Sequence, residues 1–255
     1  MPKPQPHTPS KRNFIPQIAA ALDAGYRYQS SEMFDWMVSS LLAAMGLPDK
    51  PSVPDDAKAQ IDKAISLYDE AVLGMPPFMD ILGELYMSLG AGKKSKGQFF
   101  TPWTVATLLA GIGGHDLPTK QKGELISACD PCCGSGVMML ALCAQRLRTD
   151  GVAALRQLSV TCCDIDPLCT RMAAAQLLAN CAVHNVELGE IVVLTGNSLL
   201  PWKGMSVVLH ATARDLPEPP LALSLGRIAS LARAARCHPD AREQLNLFTE
   251  EEIAA

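Results

Sequence analysis

Leu125-Ile126-Ser127-Ala128-Cys129-Asp130-Pro131-Cys132-Cys133-Gly134-Ser135-Gly136-Val137 decides how this chain folds. Leu125 to Cys129 are small or apolar and predict a short buried strand. Asp130 to Gly136 then make a turn, because glycine tolerates a left-handed backbone and lets a ligand approach where a Cβ would collide. The apolar stretch from Val137 to about Leu147 predicts a helix behind the turn. The same order repeats downstream. Leu158-Ser-Val-Thr-Cys-Cys163 predicts a second strand that closes on Asp164-Ile165-Asp166-Pro167, a helix reaches Asn180, and Ile191-Val-Val-Leu194 predicts a third strand ending at Gly196-Asn197. Strand, helix, strand, helix, strand is the signature of a parallel, doubly wound sheet. Its ligand belongs beyond the carboxyl ends of the strands.

Those ends carry the polar residues. A carboxylate such as Asp164, closing the second strand, can accept hydrogen bonds from both hydroxyls of a ribose. Asn197, closing the third, is placed to bond an adenine edge. The turn after the first strand lacks the Gly-x-Gly-x-x-Gly spacing of dinucleotide sites. Together the three strand ends describe a site for an adenosyl group.

Upstream, residues 1–16 are rich in proline and polar side chains and are expected to form a disordered arm. A helical region, 17–96, follows. Ser31 is expected to cap a helix running to about Met45, with Met33, Phe34, Met37, Val38, Leu41 and Leu42 on one face. Asp55 or Asp56 starts a second helix with the stripe Ile61, Ala64, Ile65, Tyr68 and Val72. A third is expected after Pro77, carrying Phe78, Ile81, Leu82, Leu85 and Leu89. These stripes form core and carry no chemistry. Residues 97–210 make the α/β core, and 211–255 a helical and flexible tail.

Composition sets further bounds. The chain has 255 residues, 48% of them hydrophobic, which is enough for one good core or for one core plus a small accessory domain. The formal net charge of −4 counts against a free-standing DNA-wrapping protein, since phosphate neutralisation needs clustered Lys and Arg. Lys93, Lys94 and Lys96 are the compact basic run ahead of the glycine turn. No apolar run is long enough to span a bilayer. The first residues hold no apolar signal core, so a cytoplasmic location is expected. The nine cysteines sit mostly in apolar segments. Cys129-x-x-Cys132 and Cys162-Cys163 have no partner pair at ligand spacing, so they are read as small core hydrophobes, with no metal site.

Gly97-Gln98-Phe99-Phe100-Thr101-Pro102, followed by a helix and then by Asp130-Pro-Cys-Cys-Gly-Ser-Gly136, resembles the adenine-N6 DNA methyltransferases. It is most similar to the modification subunit of type I restriction-modification systems. Asp80-Ile-Leu-Gly-Glu-Leu-Tyr86 resembles the helix that those subunits place before the first motif. The resemblance covers roughly residues 78 to 200. It implies an α/β fold: an incomplete Rossmann-like S-adenosylmethionine-dependent methyltransferase sheet preceded by an all-helical N-terminal region. It also implies S-adenosylmethionine as cofactor. Gln98, Phe100, Thr101 and Pro102 would line the methionine end. Asp130 and Pro131 would stand near its amino group, with Gly134, Ser135 and Gly136 passing beneath. Asp164, with Ile165 beside it, would hold the ribose. Asn197 stands where the family usually has Asp.

One departure matters. The family holds the flipped adenine with Asn/Asp-Pro-Pro-aromatic after its fourth strand, because the exocyclic amine is a poor nucleophile and must be held by acceptors and a stacked ring. The fourth strand here is expected at Met205-Ser-Val-Val-Leu-His210, but Ala211-Thr-Ala-Arg214 follows it. Pro219-Pro220 lacks both flanking features. Met75-Pro76-Pro77-Phe78 begins with a side chain that cannot accept the amine's bonds and reads as a helix start. No catalytic residue is therefore assigned, and residues 211–255 are too few for three further strands. The chain alone is expected to be inactive and to reach DNA within a complex that contains a second methyltransferase or specificity subunit. The tail holds Gln244-Leu245-Asn246-Leu247-Phe248, which resembles the pentapeptide by which bacterial proteins dock on the sliding clamp. Gln244, Leu245, Leu247 and Phe248 are either clamp anchors or residues that fold back on the protein's own surface.

Overall fold

The computed structural model describes residues 13–23, 25, 27–48, 51–90, 99–113, 125–200 and 204–213. Lys93, Lys94, Lys96 and Gln98, the tail from Arg214 onward, and the clamp-like residues Gln244, Leu245, Leu247 and Phe248 lie outside them.

Five helices come first: α1 (Phe14–Ala21), α2 (Ser30–Ala44), α3 (Asp55–Gly74), α4 (Ile81–Ser88) and α5 (Trp103–Gly113). The alternating part follows as β1 (Ile126–Asp130), α6 (Val137–Asp150), the one-turn α7 (Val152–Leu155), β2 (Leu158–Asp164), α8 (Pro167–His184), β3 (Glu190–Thr195) and β4 (Ser206–Thr212). The sheet order is β1-β2-β3-β4. Strands β1, β2 and β3 are parallel, Ser127 standing beside Ser159 and Val160 beside Ile191.

Several expectations need correction. The arm of residues 1–16 is too long, because Phe14 to Pro16 already belong to α1, where Phe14 and Ile18 are buried. Helix α2 is capped by Gln29, not Ser31: the Gln29 N–H donates to Glu32 Oε2 at 2.9 Å, in a reciprocal capping box. Pro77-Phe78 is not a helix start. Phe78 adopts φ 65°, and α4 begins only at the cap Asp80, whose carboxylate accepts the Gly83 N–H. Strand β4, whose direction the sequence reading left open, runs antiparallel to β3. The ten residues 196–205 that join them are too few for a helical crossover, which takes a dozen or more. β4 also takes residues 211 and 212 from the expected tail.

Helix α8 explains how the helical region and the sheet become one body. It is buried on nearly all sides, from Cys169 to Ala182. A helix apolar all round belongs in an interior, and Ala173, Ala174, Ala175, Ala179 and Ala182 let layers close on it from both sides. The sheet lies against one side, and α2, α3 and α4 against the other. One continuous core therefore runs from Phe14 to Ala211. The expected boundary near residue 96 is not a boundary in packing.

The other side of the sheet is less complete. Among the described residues β1 pairs only with β2, so its second edge is open. Ser127 and Cys129 of β1 are exposed, whereas β2 is buried along nearly its whole length. Helix α5 packs Ala106 and Ala110 on Val137 and Ala141 of α6. It turns Leu108 and Ile112, 63% and 66% exposed, to solvent.

Candidate cofactor cleft

The three parallel strands end together, and their turns build a cleft of about 810 Å³. The turn after β1 is shaped by two glycines in the left-handed region, Gly134 at φ 54° and Gly136 at φ 90°. A Cβ on Gly134 would lie 3.0 Å from Cδ1 of Phe100, and one on Gly136 would lie 3.0 Å from the Ala173 Cβ. The first glycine thus admits the Phe100 ring, and the second lets α6 start hard against α8. Phe100 is held in turn by Tyr86, stacked at 5.3 Å between centroids.

Asp164 ties two turns together. Its Oδ2 accepts the Gly134 N–H at 2.8 Å and its Oδ1 accepts the Asp166 N–H at 2.9 Å. Each oxygen keeps a second lone pair, so the carboxylate still offers two acceptor positions to the cleft. Asp166 caps α8 by accepting the Leu168 N–H at 3.0 Å. Asp130 accepts the Cys132 N–H at 3.1 Å, and burial, then the nearby Asp164, raise its carboxyl above the usual range.

Phe100, Pro131, Gly134, Asp164, Ile165 and Asn197 line the cleft together. Ile165 is 70% exposed, an apolar side chain presented to whatever binds. Asn197 is exposed, and its side-chain oxygen accepts the Leu199 N–H at 3.0 Å, which leaves a second lone pair and the NH₂ group open. Ser135 departs from its expected place under the ligand: it is fully buried and its Oγ donates to Asp80 at 2.8 Å. Gly136 faces Ala173, and Asp130, Thr101 and Pro102 stand outside the cleft lining. Sequence reasoning assigned no cofactor role to Phe99, Cys132, Asp166, Pro167, Cys169, Gly196, Ser198 and Leu199, which complete the walls. Their signal was adjacency to the strand ends, and nothing in their chemistry marked them.

The cysteines divide by position. Cys133, Cys143, Cys162, Cys163, Cys169 and Cys181 are buried, while Cys129 and Cys132 are exposed. The hydrogen bond with Cys162, then burial, raise the Cys133 thiol well above its ordinary value, which keeps it protonated. Among the described residues no group of His, Cys, Asp or Glu could hold a metal ion. No helix among them is long and apolar enough to cross a membrane.

A doubly wound half-sheet with a glycine turn at β1 and a carboxylate at the end of β2 defines a nucleoside-binding α/β protein. Residues 79–212, more than half of the chain, match the model of the family N-6 DNA Methylase, and the chain belongs to that family. Among solved structures it is similar to a protein from Listeria monocytogenes assigned to the class I S-adenosylmethionine-dependent methyltransferases, at 16% identity and TM-score 0.43. The match covers 74% of this chain and 53% of that one, so the chain spans about half the length of its structural relative. No curated protein sequence matches it.

Membership implies S-adenosylmethionine as cofactor, and the cleft fits it. The volume is that of a small-molecule site. The Asp164 acceptors suit a ribose diol and Ile165 gives an apolar wall for a purine, while Phe100, packed against Gly134, stands at the glycine turn, where the resemblance puts the methionine end. Among the described residues Asp164 and Asp166 line the cleft and no Lys or Arg does. That charge favours a ligand carrying ammonium and sulfonium groups over a dinucleotide with its pyrophosphate.

Proposed function

We propose that the chain is the cofactor-binding half of an adenine-N6 DNA methyltransferase of the restriction-modification kind, similar to a type I modification subunit, and that it transfers no methyl group by itself. The observation that carries this reading is the cleft itself, whose strand-end carboxylate and glycine turn fit a nucleoside, in a chain without the base-holding motif. The two Pro-Pro pairs in the sequence are Pro76-Pro77 and Pro219-Pro220, and neither follows Asn or Asp. The residue after the first pair, Phe78, is wholly buried, with its N–H on the Asn180 side chain and its ring in the core. It has no access to a flipped base. β4 stands beyond β3, at the opposite end of the sheet from the glycine turn. The open edge of β1 and the apolar face of α5 are where a further strand and helix would extend the sheet beside that turn.

In the bound state S-adenosylmethionine supplies an activated methyl group. Asp164 would accept from the ribose hydroxyls, Ile165 would cover the purine, Phe100 would stand beside the methionine end, and Asp130, at the end of β1, would draw the amino group toward the glycine turn. Asn197 could accept from the adenine amine through the remaining lone pair of its side-chain oxygen, or donate its NH₂ to a ring nitrogen.

Calorimetry tests the site. S-adenosylmethionine should bind, and Asp164→Ala should weaken binding by roughly 1.5–3 kcal/mol, the worth of hydrogen bonds to a charged group. No heat at millimolar ligand defeats the proposal. Labelled cofactor and mixed genomic DNA should give no incorporation with this chain alone, and incorporation would show a base-holding site elsewhere in it.

A second reading, an interaction protein that docks on the sliding clamp, is favoured by Gln244-Leu245-Asn246-Leu247-Phe248. A peptide of residues 240–255 should then bind a bacterial clamp by fluorescence anisotropy. Leu247→Ala with Phe248→Ala should abolish that binding, and equal behaviour of the two peptides removes the reading.

A further inference from the structure

We propose that Asp80 is a positioning residue for the cofactor turn: from inside the protein it fixes Ser135, and through Ser135 it sets the two glycines that floor the cleft. The proposal rests on the cofactor reading above. Asp80 lies 55 residues before Ser135 and is only 3% exposed. Its carboxylate accepts three hydrogen bonds, from Gly83 N–H at 3.0 Å, Ser135 Oγ at 2.8 Å and Gln176 Nε2 at 2.8 Å. Capping α4 requires only the first. The other two reach the turn and the residue that holds it from the far side. Gln176 also donates from Nε2 to the Ser135 carbonyl at 3.0 Å, and its Oε1 accepts the Leu82 N–H at 2.9 Å.

Ser135 is therefore held by both its hydroxyl and its carbonyl, from two helices, between two residues in the left-handed region. That backbone is one the chain seldom adopts unaided. The turn is gripped at three consecutive residues: Gly134 by Asp164, Ser135 by Asp80 and Gln176, and Gly136 by Ala173. Burying a carboxylate among neutral donors is costly, and an apolar residue would pack more cheaply. The network is complete on all three bonds, which is what makes a buried charge tolerable. Gly83 is part of the same device. A Cβ there would lie 2.2 Å from Asp80 Oδ2 and 2.5 Å from Ser135 Oγ, so glycine is required for α4 to close on the turn. Asp80 does not line the cleft. It acts through Ser135.

The test uses the full chain and two readouts: amide hydrogen exchange across residues 130–136 without ligand, and affinity for S-adenosylmethionine by calorimetry. Ser135→Ala, Asp80→Asn and Gly83→Ala should each speed exchange in the turn and raise the Kd about tenfold. Ser135→Ala combined with Asp80→Asn should raise the Kd by less than the product of the two single effects, because both act on the Asp80–Ser135 contact. Ile81→Val trims packing in α4 outside the network and should leave both readouts unchanged. Should Asp80→Asn fail to fold, Ser135→Ala and Gly83→Ala carry the comparison. Wild-type exchange and affinity in Ser135→Ala would overturn the proposal and leave Asp80 as a helix cap alone. If wild type does not bind the cofactor at all, the cofactor reading falls, and exchange in the turn still decides whether Asp80 holds it.

Discussion

Gly134 shows how much one residue's backbone decides. Replacing it by alanine puts a side chain into the left-handed region, at roughly 1–2 kcal/mol, and sets a Cβ 3.0 Å from the Phe100 ring. Gly151 shares the backbone sign, at φ 78°, with nothing within 4 Å of an added Cβ. Both Gly134→Ala and Gly151→Ala should lower the melting temperature, by roughly 2–8 °C in a chain of this size. Only Gly134→Ala should also raise the Kd for S-adenosylmethionine, because only there does the ring that walls the cleft have to move. Equal affinity in the two variants would separate Phe100 from the site. The glycines and Asp164 were legible in the sequence because a turn between strand and helix needs those residue types. Ser135 was misread because its neighbours in the turn do not reveal what stands behind it. A partner 55 residues upstream leaves no local trace.

At the scale of elements, strands were legible and their directions less so. Alternation in Ser206-Val-Val-Leu-His-Ala-Thr212 marks a strand, but only the short link from Thr195 requires it to turn back. The antiparallel strand brings a polar stitch with it. Ser159 Oγ on β2 donates to Glu190 Oε2 at 2.6 Å, and His210 Nε2 on β4 meets Glu190 Oε1 at 2.9 Å. The His210 bond, followed by the Ser159 bond, holds the Glu190 carboxyl below its ordinary value of 4.5 against the opposing effect of burial. A carboxyl lowered on folding stabilises the fold above its unfolded value, and that contribution is lost as pH falls through the lowered one. Glu190→Gln should therefore cost about 1 kcal/mol near neutrality and lose less than wild type between about pH 5 and pH 3. Urea unfolding across that range measures both, and parallel curves would show that Glu190 titrates alike in both states. Asp80, raised by burial, has the opposite sign. Wild type alone would mix the two, so the comparison with the variant is what isolates Glu190.

The whole molecule is closed on one side and open on the other. Toward α8 the layers are complete, and the helical region shares the sheet's core. Toward β1 they are not. Parallel strands are ordinarily buried on both faces, and an edge with unpaired N–H and C=O groups is a template for further pairing. Among the described residues β1 presents such an edge, and α5, packed on α6, exposes Val105, Leu108, Leu109 and Ile112. This was hard to foresee, because α5 reads from its sequence as an ordinary core helix, and only the sheet order shows which strand lies at the edge. If that face is solvent-exposed in the isolated chain, polar substitutions there should be nearly free, within about 0.5 kcal/mol. Leu108→Gln with Ile112→Gln should leave the denaturant midpoint unchanged and the affinity for S-adenosylmethionine intact. It should reduce binding of an apolar dye such as ANS, which reports exposed hydrophobic surface. Such a result would mark the α5 face as free to receive a further strand and helix beside β1. A loss of more than about 1 kcal/mol in the double variant would mean that the intact chain already covers α5, since surface positions do not cost that much. The open edge would then have no part in completing the methyltransferase.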